Sequence, residues 1–196
     1  MQTAFRSEER FTQAQFYDWL REYGRWAKGR YELIGGRIVM TPPAGFPHSK
    51  VIVKLVTILL PHVEKRGLGE VFESSAGYEL PSGDTLAPDA SFISTGRLAA
   101  GPPPEHGKFF GIVPDLAVEV LSDSSVKRDR IEKKEIYALN GVDEYWIIDT
   151  DSHEVTVHRR DGAQLVAEEP LRSAPIRSRV LPDLTLSVED LFRDLP

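Results

Sequence analysis

The chain has no cysteine in 196 residues. That absence excludes disulfides, zinc–thiolate sites and thiol nucleophiles together, and a reducing cytoplasm is the expected compartment. Long apolar runs are also missing. The richest helical stretch, residues 51–60, is too short to span a bilayer, and the opening MQTAFRSEER is polar where a signal peptide needs an apolar core. Positive charge is in deficit, with 24 Lys and Arg against 30 Asp and Glu, a net charge of −6. This argues against a broad nucleic-acid-coating surface but leaves room for a local basic groove. Neither a G-x-S-x-G elbow nor a G-x-x-x-x-G-K-[ST] loop occurs, and none of the five histidines has the paired spacing of a helical zinc site. His48, at a helix start after a loop, is the histidine placed to lie near a site.

What remains is an ordinary soluble composition, 41% hydrophobic and 28% charged, in a chain of one-domain length. Residues 12–23 read as a first helix with a Thr12/Gln15 capping box and Gly24 after its end. Residues 31–40 form a hairpin around Gly35-Gly36. A second helix covers 48–65, with Pro61 expected to kink it or end its first part. Strands follow at 70–80 and 87–94, then a proline-rich excursion at 100–107. Residues 155–158 add a strand, 159–179 read as loop with short strands, and 187–192 as a closing helix capped by Ser187. No repeat or linker divides the chain, so the expectation is a single α+β domain over 1–196, its core at about 48–158.

The stretch 113–149 is the most informative. Residues 116–121 alternate, with Leu116, Val118 and Val120 on one face and Ala117, Glu119 and Leu121 on the other. A charge at Glu119 inside such a strand needs a partner or a chemical role. Ser122 to Ser125 supplies N-cap residues for a helix over 126–139, and Asn140-Gly141 closes it. On that helix Lys133 shares a face with Val126, Ile136 and Tyr137 and points inward, while Lys134 points away. The alternative for Lys133 is a snorkelling side chain whose ammonium reaches water. Lys127, Arg128, Arg130, Lys133 and Lys134 form the densest basic run, read as a solvated face or, more sharply, as a phosphate contact. Residues 144–149 are a buried strand.

Two Pro-Asp pairs compete as partners for Glu119. Asp115 lies four residues before it on one strand, roughly 13 Å away, too far to share a small cation. Asp89 belongs to another strand, and adjacent strands lie only about 4.8 Å apart. Asp89, Glu119 and an inward Lys133 would place two hard oxygen donors beside an ammonium, a set that suits Mg2+ or Mn2+ and water activation for phosphodiester hydrolysis. The same residues also fit an Asp turn, a buried acid and a salt bridge, and structural ion pairs are the commoner outcome.

The order YELIGG from Tyr31, His48, Pro88-Asp89, PDLAVEVLS from Pro114, Lys133 with Tyr137, and GVDEYWIID from Gly141 resembles the Uma-two-type family of restriction-endonuclease-like proteins. The resemblance runs from about residue 11 to 192. It implies the PD-(D/E)XK nuclease fold, a mixed central sheet flanked by helices, here with an N-terminal helix and hairpin extension. It also implies a divalent-metal site with Asp89 and Glu119 as its acids and Lys133 as its lysine. The chain departs from the nuclease pattern at Leu121, where the usual lysine would stand two residues after the second acid; the resemblance implies that the lysine has moved to the following helix. Glu32 is placed at the fringe of the site.

Two functions follow. The first is a Mg2+- or Mn2+-dependent endonuclease acting on DNA, with Asp89 and Glu119 on the metal, the Val120 carbonyl as a further ligand and Lys133 steadying the phosphate. A homodimer is expected for it, since a two-fold pair cuts both strands of a duplex most simply. The second is a catalytically inactive module of the same fold that binds nucleic acid or a protein partner.

Overall fold

The computed structural model describes residues 5–24, 29–122 and 125–195. Its strands in chain order are β1 (Phe5–Arg6), β2 (Arg30–Ile34), β3 (Arg37–Thr41), β4 (Gly69–Glu73), β5 (Tyr78–Glu79), β6 (Thr85–Leu86), β7 (Ala90–Ser94), β8 (Leu116–Val120), β9 (Glu144–Asp149), β10 (Glu154–Asp161), β11 (Gln164–Ala167), β12 (Pro175–Ile176) and β13 (Leu186–Ser187). The helices are α1 (Gln13–Trp19), α2 (His48–Arg66), α3 (Thr95–Ala100), α4 (Lys134–Leu139) and α5 (Val188–Phe192). Turns of π-helix extend α1 over Leu20–Gly24 and precede α4 over Arg128–Lys133.

Two sheets carry the fold. The larger is mixed, in the order β11-β10-β9-β8-β7-β4, with β8 and β9 parallel and every other pair antiparallel. The smaller has the order β1-β3-β2-β6-β5. Residues 87–89 join β6 of one sheet to β7 of the other, so Pro88-Asp89 sits where the two sheets meet.

α2 covers one face of the larger sheet through Val51, Leu55, Leu59 and Val63, all fully buried at four-residue spacing with Ala90, Phe92, Leu116, Val118 and Trp146. Pro61 does not end this helix. It lies on the exposed side, and the buried stripe carries through it to Val63, so the packing outweighs the lost hydrogen bond. Gly67, at φ 59°, then terminates it in the left-handed conformation. The opposite sheet face packs Ala117, Leu121, Tyr145 and Ile147 against Tyr137 and the smaller sheet's Tyr78 and Leu86. Gly35 and Gly36, both at positive φ, close the β2–β3 hairpin as a two-residue turn.

The structure departs from the sequence reading in several places. The expected strand 70–80 breaks at Ser74–Ser75 into β4 and β5, which belong to different sheets. α3 was not expected. Its cap is Ser94, whose hydroxyl accepts from the Arg97 N–H. The strand expected at 155–158 runs longer, as β10 to Asp161, and β11 is one of the short strands expected within 159–179. Ser187 stands at the N-cap of α5 without a side-chain cap hydrogen bond. The cap residues expected at Asp123 and Ser124 lie outside the described residues.

Candidate active site

The register of the larger sheet builds the site. Ala90 pairs with Val118 across the antiparallel β7–β8 ladder, so Asp89, one residue before β7, stands beside Glu119. The Asp89 N–H donates to Val118 O at 2.9 Å, and the Val120 N–H donates to Asp89 Oδ2 at 2.8 Å. Asp115 is kept out of the site. Its carboxylate accepts from the Ser94 N–H (2.7 Å) and hydroxyl (3.0 Å) and pairs with Arg97 Nε at 3.2 Å, anchoring α3.

Lys133 reaches Glu119 from the helix. Its side chain is fully buried, with Nζ 2.8 Å from Glu119 Oε1, 2.8 Å from Glu32 Oε1 and 3.7 Å from Asp129 Oδ1. Snorkelling is therefore ruled out, and Lys134 is only half-buried. Within the π-helical wind Arg128, Asp129 and Lys133 are all buried. The same wind leaves Val126 39% exposed, so the inward face expected to include Val126 is not the one that forms. Tyr137, one turn further on, donates its hydroxyl to Glu119 Oε1 at 3.3 Å.

The hairpin proves to be part of the site. Glu32 is fully buried between Lys133 and the Ala87 N–H, which donates to its Oε1 at 2.9 Å. Arg30, two residues earlier on the same strand face, places Nη1 2.7 Å from Asp89 Oδ1 and Nη2 3.8 Å from Glu119 Oε2. His48 Nε2 lies 3.1 Å from Asp89 Oδ2. Glu32 was expected at the fringe, Arg128 only as one member of a basic run, and Arg30 and Asp129 were not singled out as site residues. The available signal was a charge at every second residue, Arg30 and Glu32, inside an otherwise apolar strand.

The charges are unevenly matched. Burial alone would raise the Asp89 carboxyl, but the Arg30 guanidinium, His48 and the Val120 N–H hold it well below the usual carboxylate range. Burial would likewise raise Glu32, and Lys133 and Arg30 reverse it, leaving Glu32 lowered. Glu119 is pushed up to about 8, first by burial, which Lys133 only partly offsets, then by the nearby Asp129 and Asp89 charges. Burial would strip the Lys133 proton, yet Glu119, Glu32 and Asp129 raise its pKa above the ordinary lysine value. Lys133 is thus a fixed positive charge and not a base.

Among the described residues no three His, Asp or Glu side chains come together as a ready metal-holding group. The donor set still fits a hard divalent cation, which takes one or two protein carboxylates and completes its shell with other oxygens. A guanidinium already stands against both Asp89 and Glu119, which marks the place between them as one where positive charge is stabilised. A cleft of about 520 Å³ opens beside these groups, lined by Arg30, His48, Asp89, Val120 and Arg128 and by several serine and threonine side chains. No helix among the described residues is long and apolar enough to cross a membrane.

A profile of the family described as "Uma2: Putative restriction endonuclease" matches residues 14–189. Among solved structures, the chain is similar to one described as "a putative nuclease belonging to DUF820" from Anabaena variabilis ATCC 29413. The two share 22% identity and a TM-score of 0.71, over 88% of this chain and 96% of the other. No curated protein matches the chain.

Proposed function

Because the chain belongs to the Uma2 family of restriction-endonuclease-like proteins, we propose that it is a metal-dependent endonuclease that hydrolyses DNA phosphodiester bonds. The observation that carries the reading is the buried Lys133 ammonium 2.8 Å from Glu119, with Asp89 beside it at the edge of an open cleft. Asp89 and Glu119 would hold Mg2+ or Mn2+, with the Val120 carbonyl as a further ligand. The metal, when bound, would polarise the phosphoryl oxygen and supply hydroxide at neutral pH.

The chain's own residues have separable tasks. Lys133, kept protonated by three carboxylates, contributes a fixed charge toward the pentavalent phosphate and does not take up a proton. Tyr137 and Glu32 hold that lysine and Glu119 in place. Asp89, ionised and anchored by the Val120 N–H, is the more rigid of the two metal-binding acids. Arg30 balances the acids without metal and is positioned to meet substrate phosphate once they are otherwise neutralised. A two-fold pair of such chains would cut both strands of a duplex.

One observation favours the second reading, a nuclease-fold module without catalysis: Arg30 already neutralises the acid pair. Calorimetry with Mg2+ and Mn2+ separates the two, since an inactive module shows no saturable binding. The direct test is cleavage of supercoiled and linear DNA with Mg2+ or Mn2+. The nuclease reading expects activity that EDTA removes and that Asp89→Asn and Glu119→Gln each abolish. Cleavage that persists in either variant would overturn the assignment of these acids.

A further inference from the structure

Among the described residues, eight buried side-chain nitrogen and oxygen atoms have no hydrogen-bond partner. Six of them (Arg30 Nε, Thr41 Oγ1, His48 Nδ1, Arg128 Nε, Arg128 Nη2 and Asp129 Oδ1) belong to residues that line the cleft beside Asp89. Four of the six, Arg30 Nε, Thr41 Oγ1 and the two Arg128 nitrogens, can donate a hydrogen bond; the Asp129 oxygen only accepts, and the role of His48 Nδ1 depends on the ring tautomer, since Nε2 faces Asp89. Buried polar groups are normally paired, so a concentration of unpaired donors around one opening points to an absent partner rich in acceptors.

Arg128 is the clearest case. Its side chain is 9% exposed, it lines the cleft, and two of its three nitrogens lack a partner. Among the described residues it forms one ion pair, with Asp129, Nε standing 3.6 Å from Oδ1 and outside hydrogen-bond geometry. Lys133 also lies against that carboxylate, so Asp129 does not depend on Arg128 for its counter-charge. A planar guanidinium held in this way matches the oxygens of a phosphodiester. Thr41, at the end of β3 on the same cleft, adds a hydroxyl with no protein acceptor.

We propose that Arg128 and Thr41 form a backbone subsite that grips a phosphodiester group of the nucleic acid adjacent to the one presented to Asp89 and Glu119. The proposal rests on the nuclease reading for the identity of the polyanion, but its contacts are made without metal. It gives the acidic chain a local, donor-lined groove where its overall charge offers none. Arg128 acts here as a binding and positioning residue. It does not touch the reacting atoms.

The test is fluorescence anisotropy of a labelled duplex in EDTA, over salt from about 50 to 200 mM. Arg128→Gln should weaken binding roughly tenfold and flatten the log–log salt slope by about 0.9, the value for one phosphate contact. Arg128→Lys should keep the slope and recover part of the affinity, because it retains the charge and loses the fork. Thr41→Val, whose lost hydroxyl has no protein partner, should fold normally and weaken binding severalfold with the slope unchanged. It keeps the proposal testable if Arg128→Gln fails to fold. Wild-type binding and slope retained in Arg128→Gln or Thr41→Val would overturn the proposal. So would a wild type that binds inorganic phosphate and not the duplex. Cleavage with Mn2+, scored separately, keeps the two readings apart. Binding that depends on Arg128 in a protein that never cuts sinks the nuclease reading alone. Cutting by a protein whose binding ignores Arg128 sinks this one alone.

Discussion

Asp89 and Glu119 are neighbours across one strand pair, yet their replacement should change stability in opposite senses. Asp89 is ionised and satisfied by Arg30 at 2.7 Å and the Val120 N–H at 2.8 Å, with His48 at 3.1 Å. Its folded pKa lies below its unfolded value of about 4, so its contribution is fully present at neutral pH and is lost only as pH falls through the depressed folded value. Asp89→Asn at pH 7 removes one partner of a buried pair and should cost about 3–5 kcal/mol, roughly 6–20 °C in Tm for a chain of this size. Glu119 is the reverse. Its pKa rises from 4.5 to about 8 on folding. The folded state therefore binds this proton more tightly, and the associated stability is complete below about pH 4.5 and lost as pH rises through 8.

Glu32, lowered, changes protonation below that window, and Lys133, raised above 10.5, changes above it. Between pH 5 and 8 the difference between Glu119→Gln and wild type therefore isolates Glu119. With EDTA present, the two should match near pH 5. The variant should then gain up to about 1.4 kcal/mol per pH unit, reaching about 3–4 kcal/mol by pH 9. Denaturant melts at five or six pH values read this directly. A flat difference, or a variant that falls behind as pH rises, would show that Lys133 and Tyr137 keep Glu119 ionised throughout and would refute the burial argument.

Arg30→Met leaves both acids without their shared guanidinium. It should lower Tm in EDTA, and Mn2+ should then raise its Tm by more than it raises that of wild type, which thermal melts with and without metal will show. Lys133→Met removes the ammonium from Glu32 and Asp129, and from Glu119 once it ionises, and should cost about 3–5 kcal/mol; adding Glu32→Gln should recover about 0.5–3 kcal/mol of that, measured as a double-mutant cycle. Asp115→Asn loosens the anchor of α3 and should cost about 1–2 kcal/mol with no change in Mn2+ affinity by calorimetry.

The apposition of Asp89, Glu119 and Lys133 was legible in part. Alternation marked Glu119 as a charge on a strand face and helical spacing turned Lys133 inward, whereas the approach of Asp89 needed a strand pairing that spacing left open and that the family resemblance supplied. The opposite characters of the two acids were not legible. From sequence both read alike, as hard oxygen donors for one cation; the structure instead gives Asp89 an arginine, a histidine and a backbone N–H. Those partners come from β2 and from the start of α2, and sequence spacing does not say that the hairpin's sheet meets the main sheet at Pro88-Asp89. The π-helical wind was equally hidden: the basic run that includes Arg128 read as a solvated face or a phosphate contact, and nothing in its spacing marked Arg128 as buried.

The position of the lysine joins these points. Leu121, where the nuclease pattern has its lysine, is buried among Tyr145, Val142 and Tyr137. From the helix, one Lys133 ammonium stands 2.8 Å from a carboxylate of each sheet, Glu32 on β2 and Glu119 on β8. A lysine returned to position 121 would lie roughly 6.6 Å along the strand from Glu119 and could fold back onto it. It would also insert a charge among packed side chains and take the ammonium from Glu32, whose other oxygen is already without a partner. The double variant Lys133→Ala with Leu121→Lys should therefore be less stable than Lys133→Ala alone, because it adds a buried charge without replacing what Glu32 has lost. Adding Glu32→Gln to the double variant should recover stability, since it neutralises the stranded acid. Thermal melts of the four proteins decide the matter. A transplant as stable as wild type, without Glu32→Gln, would show that the helix lysine serves Glu119 alone and that its link to the hairpin is incidental.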